Sequence, residues 1–188
     1  MTLDPHSTAL ILIDLQNSHI ARQLAPHPAA DVVRNSLLLA DTLRQKGGTV
    51  VFVRVLVQEM LPFEVDAPFP RPATPPPANA SELAPEVRAQ VHEADILIAK
   101  RQWGAFYGTE LDQLLRRHGI KTLIMGGIAT NFGVESTARA AMDFGYRLLF
   151  AEDAMSTLSP EMHRFSIECL FPKMGRVRIT KEILNLLG

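Results

Sequence analysis

The chain has 188 residues, 47% of them hydrophobic and 21% charged, with a formal net charge of -1. That balance lacks the basic excess that phosphate backbones attract, so nucleic acid is not an expected partner. No apolar run approaches the roughly 18 residues of a membrane span, and no basic-then-apolar leader opens the chain, so the reading is a cytoplasmic protein with no membrane association.

At this length one domain over residues 1–188 is expected, with a core covering ~70% of the surface that the unfolded chain exposes. The single cysteine, Cys169, rules out an internal disulfide and a thiolate zinc cluster. His6, His19, His27, His92, His118 and His163 are scattered without ligand spacing. Neither a metal nor another cofactor is expected.

Apolar runs alternate with amphipathic stretches, the pattern of an α/β fold in three layers, with a mostly parallel, six-stranded sheet between two layers of helices. "TALILID" (Thr8 to Asp14) is the first buried strand. A helix starting near Asp31 places Val33, Leu37, Ala40 and Leu43 at core spacing and stops at Gly47-Gly48. "TVVFVRVLV" is the second strand. Eight of the thirteen prolines then fall between Leu61 and Pro85, which forbids regular helix or a central strand there. An excursion of this length is a lid, an arm that meets a partner subunit, or disordered.

The pattern resumes with "DILIAK" as strand three and the loop "RQWGAFYG", after which Thr109 caps a helix. "KTLIMGG" is strand four, with a helix from about Val134 to Phe144 behind it. "YRLLFAED" is strand five, Ser159-Pro160 opens another helix, and "GRVRI" and "TKEILNLL" supply a sixth strand and a last helix.

Ligands of open parallel sheets bind outside the carboxyl ends of the strands. Asp14 ends strand one, Lys100 ends strand three and the turn Ile128 to Gly133 follows strand four, so the three should share one crevice. The glycine-rich turn at a helix start also offers free N–H groups to an anion. Trp103, Phe106 and Tyr107 are placed to wall that crevice or to anchor its loop. Cys169 shares a helical face with Met162 and Phe165 and reads as a buried core thiol. Thr130, Ser136 and Thr137 read as backbone caps, since no His is placed by sequence to activate them.

Together these motifs resemble the isochorismatase-like hydrolases. "LILIDLQNSH" matches the family's first strand and its Asp, "AKRQWGAFYGTELDQLL" its Lys-aromatic-Thr segment, "GGIATNFGVESTARAA" its nucleophile turn and "FAEDAMS" its strand-five ending. The resemblance implies that Asp14, Lys100 and Gly133 occupy the positions of an Asp–Lys–Cys triad. It also implies that Gln16, Trp103, Phe106, Ala129, Thr130, Asn131 and Phe132 line the substrate pocket, and that the Ile128-Ala129 peptide is cis. Amidase members carry Cys where this chain has Gly133, whereas isochorismatases, which hydrolyse a vinyl ether, have glycine. Members that bind zinc have an Asp-x-His-x-x-His segment after strand two; here "VRVLVQEM" offers no His.

The resemblance therefore implies a hydrolase of a small anionic metabolite that works without a Cys nucleophile, with Asp14 as a general acid. An Asp beside Lys100 should have a lowered pKa, and bound substrate would have to raise it. The alternative is a silent homologue that binds a metabolite or partner through the same pocket. Family members commonly assemble, so a homo-oligomer is expected.

Overall fold

A computed structural model describes residues 2–69 and 74–188. Residues 70–73 of the proline-rich excursion, and what was expected of them, lie outside the described residues. The strands are β1 (Thr8–Ile13), β2 (Thr49–Val55), β3 (Ile96–Lys100), β4 (Thr122–Ile128), β5 (Arg147–Ser156) and β6 (Gly175–Arg178). They form one six-stranded sheet in the order β3-β2-β1-β4-β5-β6, with every pairing parallel. The helices are α1 (Asn17–Ile20), α2 (Ala29–Gln45), α3 (Pro85–Arg88), α4 (Leu111–Arg117), α5 (Glu135–Asp143), α6 (Pro160–Arg164) and α7 (Thr180–Leu187).

Side chains alternate across a strand, and β1 shows what that does when both faces are covered: all six of its residues are buried. Ile11 and Ile13 join a core with Val51, Val53 and Met125 beneath Leu111 and Leu115 of α4 and Ala138 and Ala141 of α5. Leu10 and Leu12 face the other way, toward Val32, Leu39 and Leu43 of α2 and Ile183 and Leu187 of α7. The strand order reverses direction between β1 and β4, and the chain exits of those two strands define the crevice where such sheets bind ligands.

Two local devices shape that crevice. Gly127 has φ +110°, and a Cβ there would run into the backbone of Ile13, so only glycine lets β4 lie this close to the end of β1. On the other side of β4, pairing slips: Met125 lies opposite Phe150 but Gly127 opposite Met155, so β5 bulges between them. A bulge re-aims side chains. This one turns out Glu152 and Asp153, and the Asp153 carboxylate accepts from the backbone N and Oγ1 of Thr180 at 2.6 and 2.7 Å, fixing the start of α7.

The excursion after β2 returns along the end of β1. Leu83 bridges Gln16, and Ala84 N donates to Leu15 O. Pro85 then occupies the first turn of α3, where a missing N–H costs nothing. No helix among the described residues is long and apolar enough to cross a membrane.

Candidate active site

Asp14 follows β1 with φ +51°, a left-handed conformation that Asp tolerates better than most side chains. Its N–H donates to Val53 O, and its carboxyl group is sealed in, 3% exposed. Lys100 comes from the last residue of β3, two strands away. Strands are about 4.8 Å apart, so only a long side chain can cross the end of β2. Lys100 does so fully buried: its Nζ lies 2.7 Å from Asp14 Oδ2 and donates to Trp103 O at 2.8 Å.

Gly133 completes the group. It sits in a wide π-type turn, Thr130–Val134, that leads into α5. A Cβ on Gly133 would lie 2.9 Å from Ile13 Cγ2, 3.3 Å from Asp14 Oδ2 and 3.4 Å from Lys100 Nζ. The three positions therefore converge as expected, and the missing side chain faces the acid and the ammonium. Asp14 Oδ1 is buried without a hydrogen-bond partner among the described residues.

Burial is the stronger influence on Asp14. It pushes the carboxyl up to about 6, against the opposing pull of Lys100 and, more weakly, of Arg22. The expected lowering by Lys100 is thus reversed, because desolvation of the carboxylate outweighs one adjacent cation. Arg22 is solvent-accessible, and its field reaches Asp14. His19 has its pKa depressed to about 3 by burial first and then by Arg22 and Lys100. Sequence reasoning missed both. Arg22 lies just past the one-turn helix α1 that follows Asp14, and a cation there was the signal available.

The expected pocket residues divide. Ala129 follows a cis peptide from Ile128, as the resemblance implied. Phe132 and Trp103 meet edge to face with ring centroids 5.1 Å apart, and Phe69 of the excursion packs against both at 5.1 and 6.4 Å. Asn131 is held by Thr157, whose Oγ1 donates to its Oδ1. Gln16 departs from expectation, and Phe106 takes the anchoring alternative. Gln16 is wholly buried and spends its amide NH2 on Val55 O, Ala80 O and Ser18 Oγ while accepting from Val55 N, so it ties β1 to β2 and to the excursion. Phe106 turns away to pack on Phe144 and Tyr146, because the loop needs an anchor in the core.

Thr137 caps as expected, donating to Gly133 O and accepting from Ala105 N. Thr130 does not: its Oγ1 lies 2.9 Å from His163 Nδ1 in a buried contact. No His is placed beside it by sequence; His163, thirty-three residues away, is brought in by α6. Cys169 is exposed, not buried. Met162, Phe165 and Cys169 do share a face, but that face is the outer one, and His163 and Ser166 take the inner one.

A second cluster was not foreseen. His27 Nε2 is 2.7 Å and His163 Nε2 is 3.2 Å from Glu152 Oε1. The His163 hydrogen bond is the main reason that Glu152 is held down at about 2, helped by His27 and opposed by burial.

A doubly wound parallel sheet with a buried acid at its switch point belongs to the α/β enzymes. Residues 8–182 match the Isochorismatase domain family. The chain is 44% identical to the isochorismatase family protein YecD of Escherichia coli O157:H7, with 100% of both chains covered. It is 30% identical to nicotinamidase 3 of Arabidopsis thaliana, over 87% of this chain and 81% of that one. The solved structure of an isochorismatase family protein from Burkholderia thailandensis superposes with a TM-score of 0.90 at 38% identity, covering 99% of this chain and 97% of the other. The chain belongs to the isochorismatase family and is a hydrolase of that family.

Proposed function

We propose that this hydrolase acts without a protein nucleophile on a small anionic molecule, with Asp14 as a general acid and hydrolysis of an enol (vinyl) ether as the reaction type. The observation that carries the proposal is the missing side chain at Gly133, whose Cβ would stand 3.3 Å from Oδ2 of a buried Asp14 with its pKa raised to about 6. A thiol enzyme needs a side chain there. An enol ether needs none, because its own π electrons take the first proton.

The Asp14 carboxyl gives its proton to the terminal alkene carbon, and the ether carbon becomes an oxocarbenium ion. Water adds to that carbon, and one of its protons returns to the Asp14 carboxylate. The resulting hemiketal breaks its bond to the alcohol, yielding a carbonyl compound and a free alcohol. Lys100 steadies the Asp14 carboxylate after the proton has left, and the enclosed site keeps bulk water from competing.

Arg22 is an accessible cation whose charge reaches Asp14, and it suits the anionic group of the substrate. Two Lys100 contacts are already taken, by Asp14 and Trp103, so Lys100 has less to offer a ligand than its charge implies. Phe69, Trp103 and Phe132 would cover a substrate's apolar part. A cytoplasmic location and a homo-oligomeric assembly complete the proposal.

Purified protein assayed against a panel of enol ethers and small amides tests it. Enol-ether turnover that survives Cys169→Ala and disappears in Asp14→Asn is the expected result. Amide turnover, or ligand binding with no turnover of any substrate, refutes it.

A further inference from the structure

We propose that His27, Glu152 and His163 form a binding site for a divalent first-row transition metal ion. The three donor atoms all lie within 4.8 Å of one another. Two imidazoles and a carboxylate are a common donor set for such ions, and they leave coordination positions for water.

The geometry is close to what an ion requires. Two imidazoles bound through Nε2 at ~2.1 Å around a tetrahedral centre have their nitrogens ~3.4 Å and their ring centroids ~5 Å apart. Here the rings of His27 and His163 are 5.5 Å apart and nearly perpendicular at 82°, so they converge on one point instead of stacking. The N···O separations of 2.7 and 3.2 Å must open toward the ~3.4 Å edge of such a centre to admit the ion, with Glu152 backing away from His27 the most.

The site is also pre-positioned from three directions. His27 follows a reciprocal backbone bridge between Ala25 and Thr157, and its N–H donates to Ser156 Oγ at 3.2 Å. Glu152 is aimed by the β5 bulge, and His163 by α6. Ligating histidines characteristically bond through their second nitrogen, which fixes the ring and its tautomer. His163 Nδ1 does this with Thr130 Oγ1, which is wholly buried. His163 is buried while His27 and Glu152 retain about a quarter of their side-chain surface, so an ion has a way in. Thr130 begins the turn that carries Gly133, and through it a bound ion would brace the candidate active site without touching its reacting groups. The residues after β2, where zinc-binding relatives would place histidines, are Leu56, Val57 and Gln58; this cluster is separate from that position.

The test uses the full-length protein after chelator treatment, titrated with Zn2+ by calorimetry and with Co2+ by visible absorption. The expected result is one ion per chain, a Co2+ d–d spectrum of nitrogen and oxygen coordination at low coordination number, and a raised melting temperature with Zn2+. His27→Gln and Glu152→Gln should each weaken binding by about 100-fold or more, and Thr130→Val, which leaves all three ligands, by about 10–100-fold. Cys169→Ala and His118→Ala should bind as the parent does. Failure of the parent protein to bind either ion one to one overturns the proposal, as does binding that persists in the His27→Gln/Glu152→Gln double variant. The Co2+ spectrum of the parent protein keeps the test decisive even if a variant folds poorly, because a spectrum of fully hydrated octahedral cobalt also overturns it.

Discussion

Asp14 owes its chemistry to two opposed forces, and the sign of each can be measured. Burial raises its pKa to about 6 while Lys100 lowers it, so a site that needs the protonated form should work best below that value. The free enzyme's kcat/KM should therefore fall as pH rises through about 6. A rate that instead rises through this range would mean that the ionised form is the active one. Lys100→Met removes the lowering influence and should move the falling limb to higher pH. The same change leaves a buried carboxylate without its cation and should lower stability by about 3–5 kcal/mol at neutral pH. The loss should shrink in acid: a carboxyl whose folded pKa lies above its unfolded one is penalised only as pH climbs from about 4 through its folded value. Denaturant melts at pH 4 and pH 7.5 check this. Gly133→Cys should not accelerate the native reaction, since its Cβ alone would press Ile13 at 2.9 Å and fill the space facing Asp14.

At the scale of elements, β5 connects stability with function, because its bulge sends adjacent carboxylates to different tasks. Asp153 holds the first residue of α7, and Asp153→Ala should cost about 2 kcal/mol, with faster amide exchange in α7 before global unfolding. An unchanged melting point and unchanged exchange would show that α7 is held by Ile183 and Leu187 alone. The same strand shows where reading the sequence works. Apolar runs placed all six strands, and Asp14, Lys100 and the turn before α5 fell at strand ends because a parallel sheet gathers such ends at one edge. What escaped depends on register and on distant convergence. "YRLLFAED" stops short because a bulge, not a turn, follows Phe150, so the strand continues to Ser156. His27 lies 125 residues before Glu152, and Glu152 and His163, 11 residues apart, sit on different elements, so no spacing rule connects the three. Cys169 was misplaced for a different reason: periodicity identifies a face but does not say which way it looks.

For the whole molecule, the question is what covers its outward apolar surface. Leu158, Met162 and Phe165 follow one another at helical spacing and are 39%, 44% and 61% exposed. A second group, the exposed Phe69 and Trp103 with the half-buried Phe132, lies beside the candidate active site. Isolated exposed apolar residues are ordinary, but a contiguous face is a common mark of an interface. The expected occupant of the α6 face is a second copy of this chain, since a two-fold pair would bury the same three residues from each side. Light scattering at micromolar concentration should therefore give the mass of a dimer or larger. Phe165→Lys places a charge at the centre of that face and should shift the mass toward the monomer while leaving the circular dichroism of the fold intact, because Phe165 makes no part of either core. A monomeric mass for the unaltered protein refutes self-association. A dimer that Phe165→Lys does not weaken refutes this choice of face and turns attention to the aromatic group beside the site, where assembly and substrate access would then be linked.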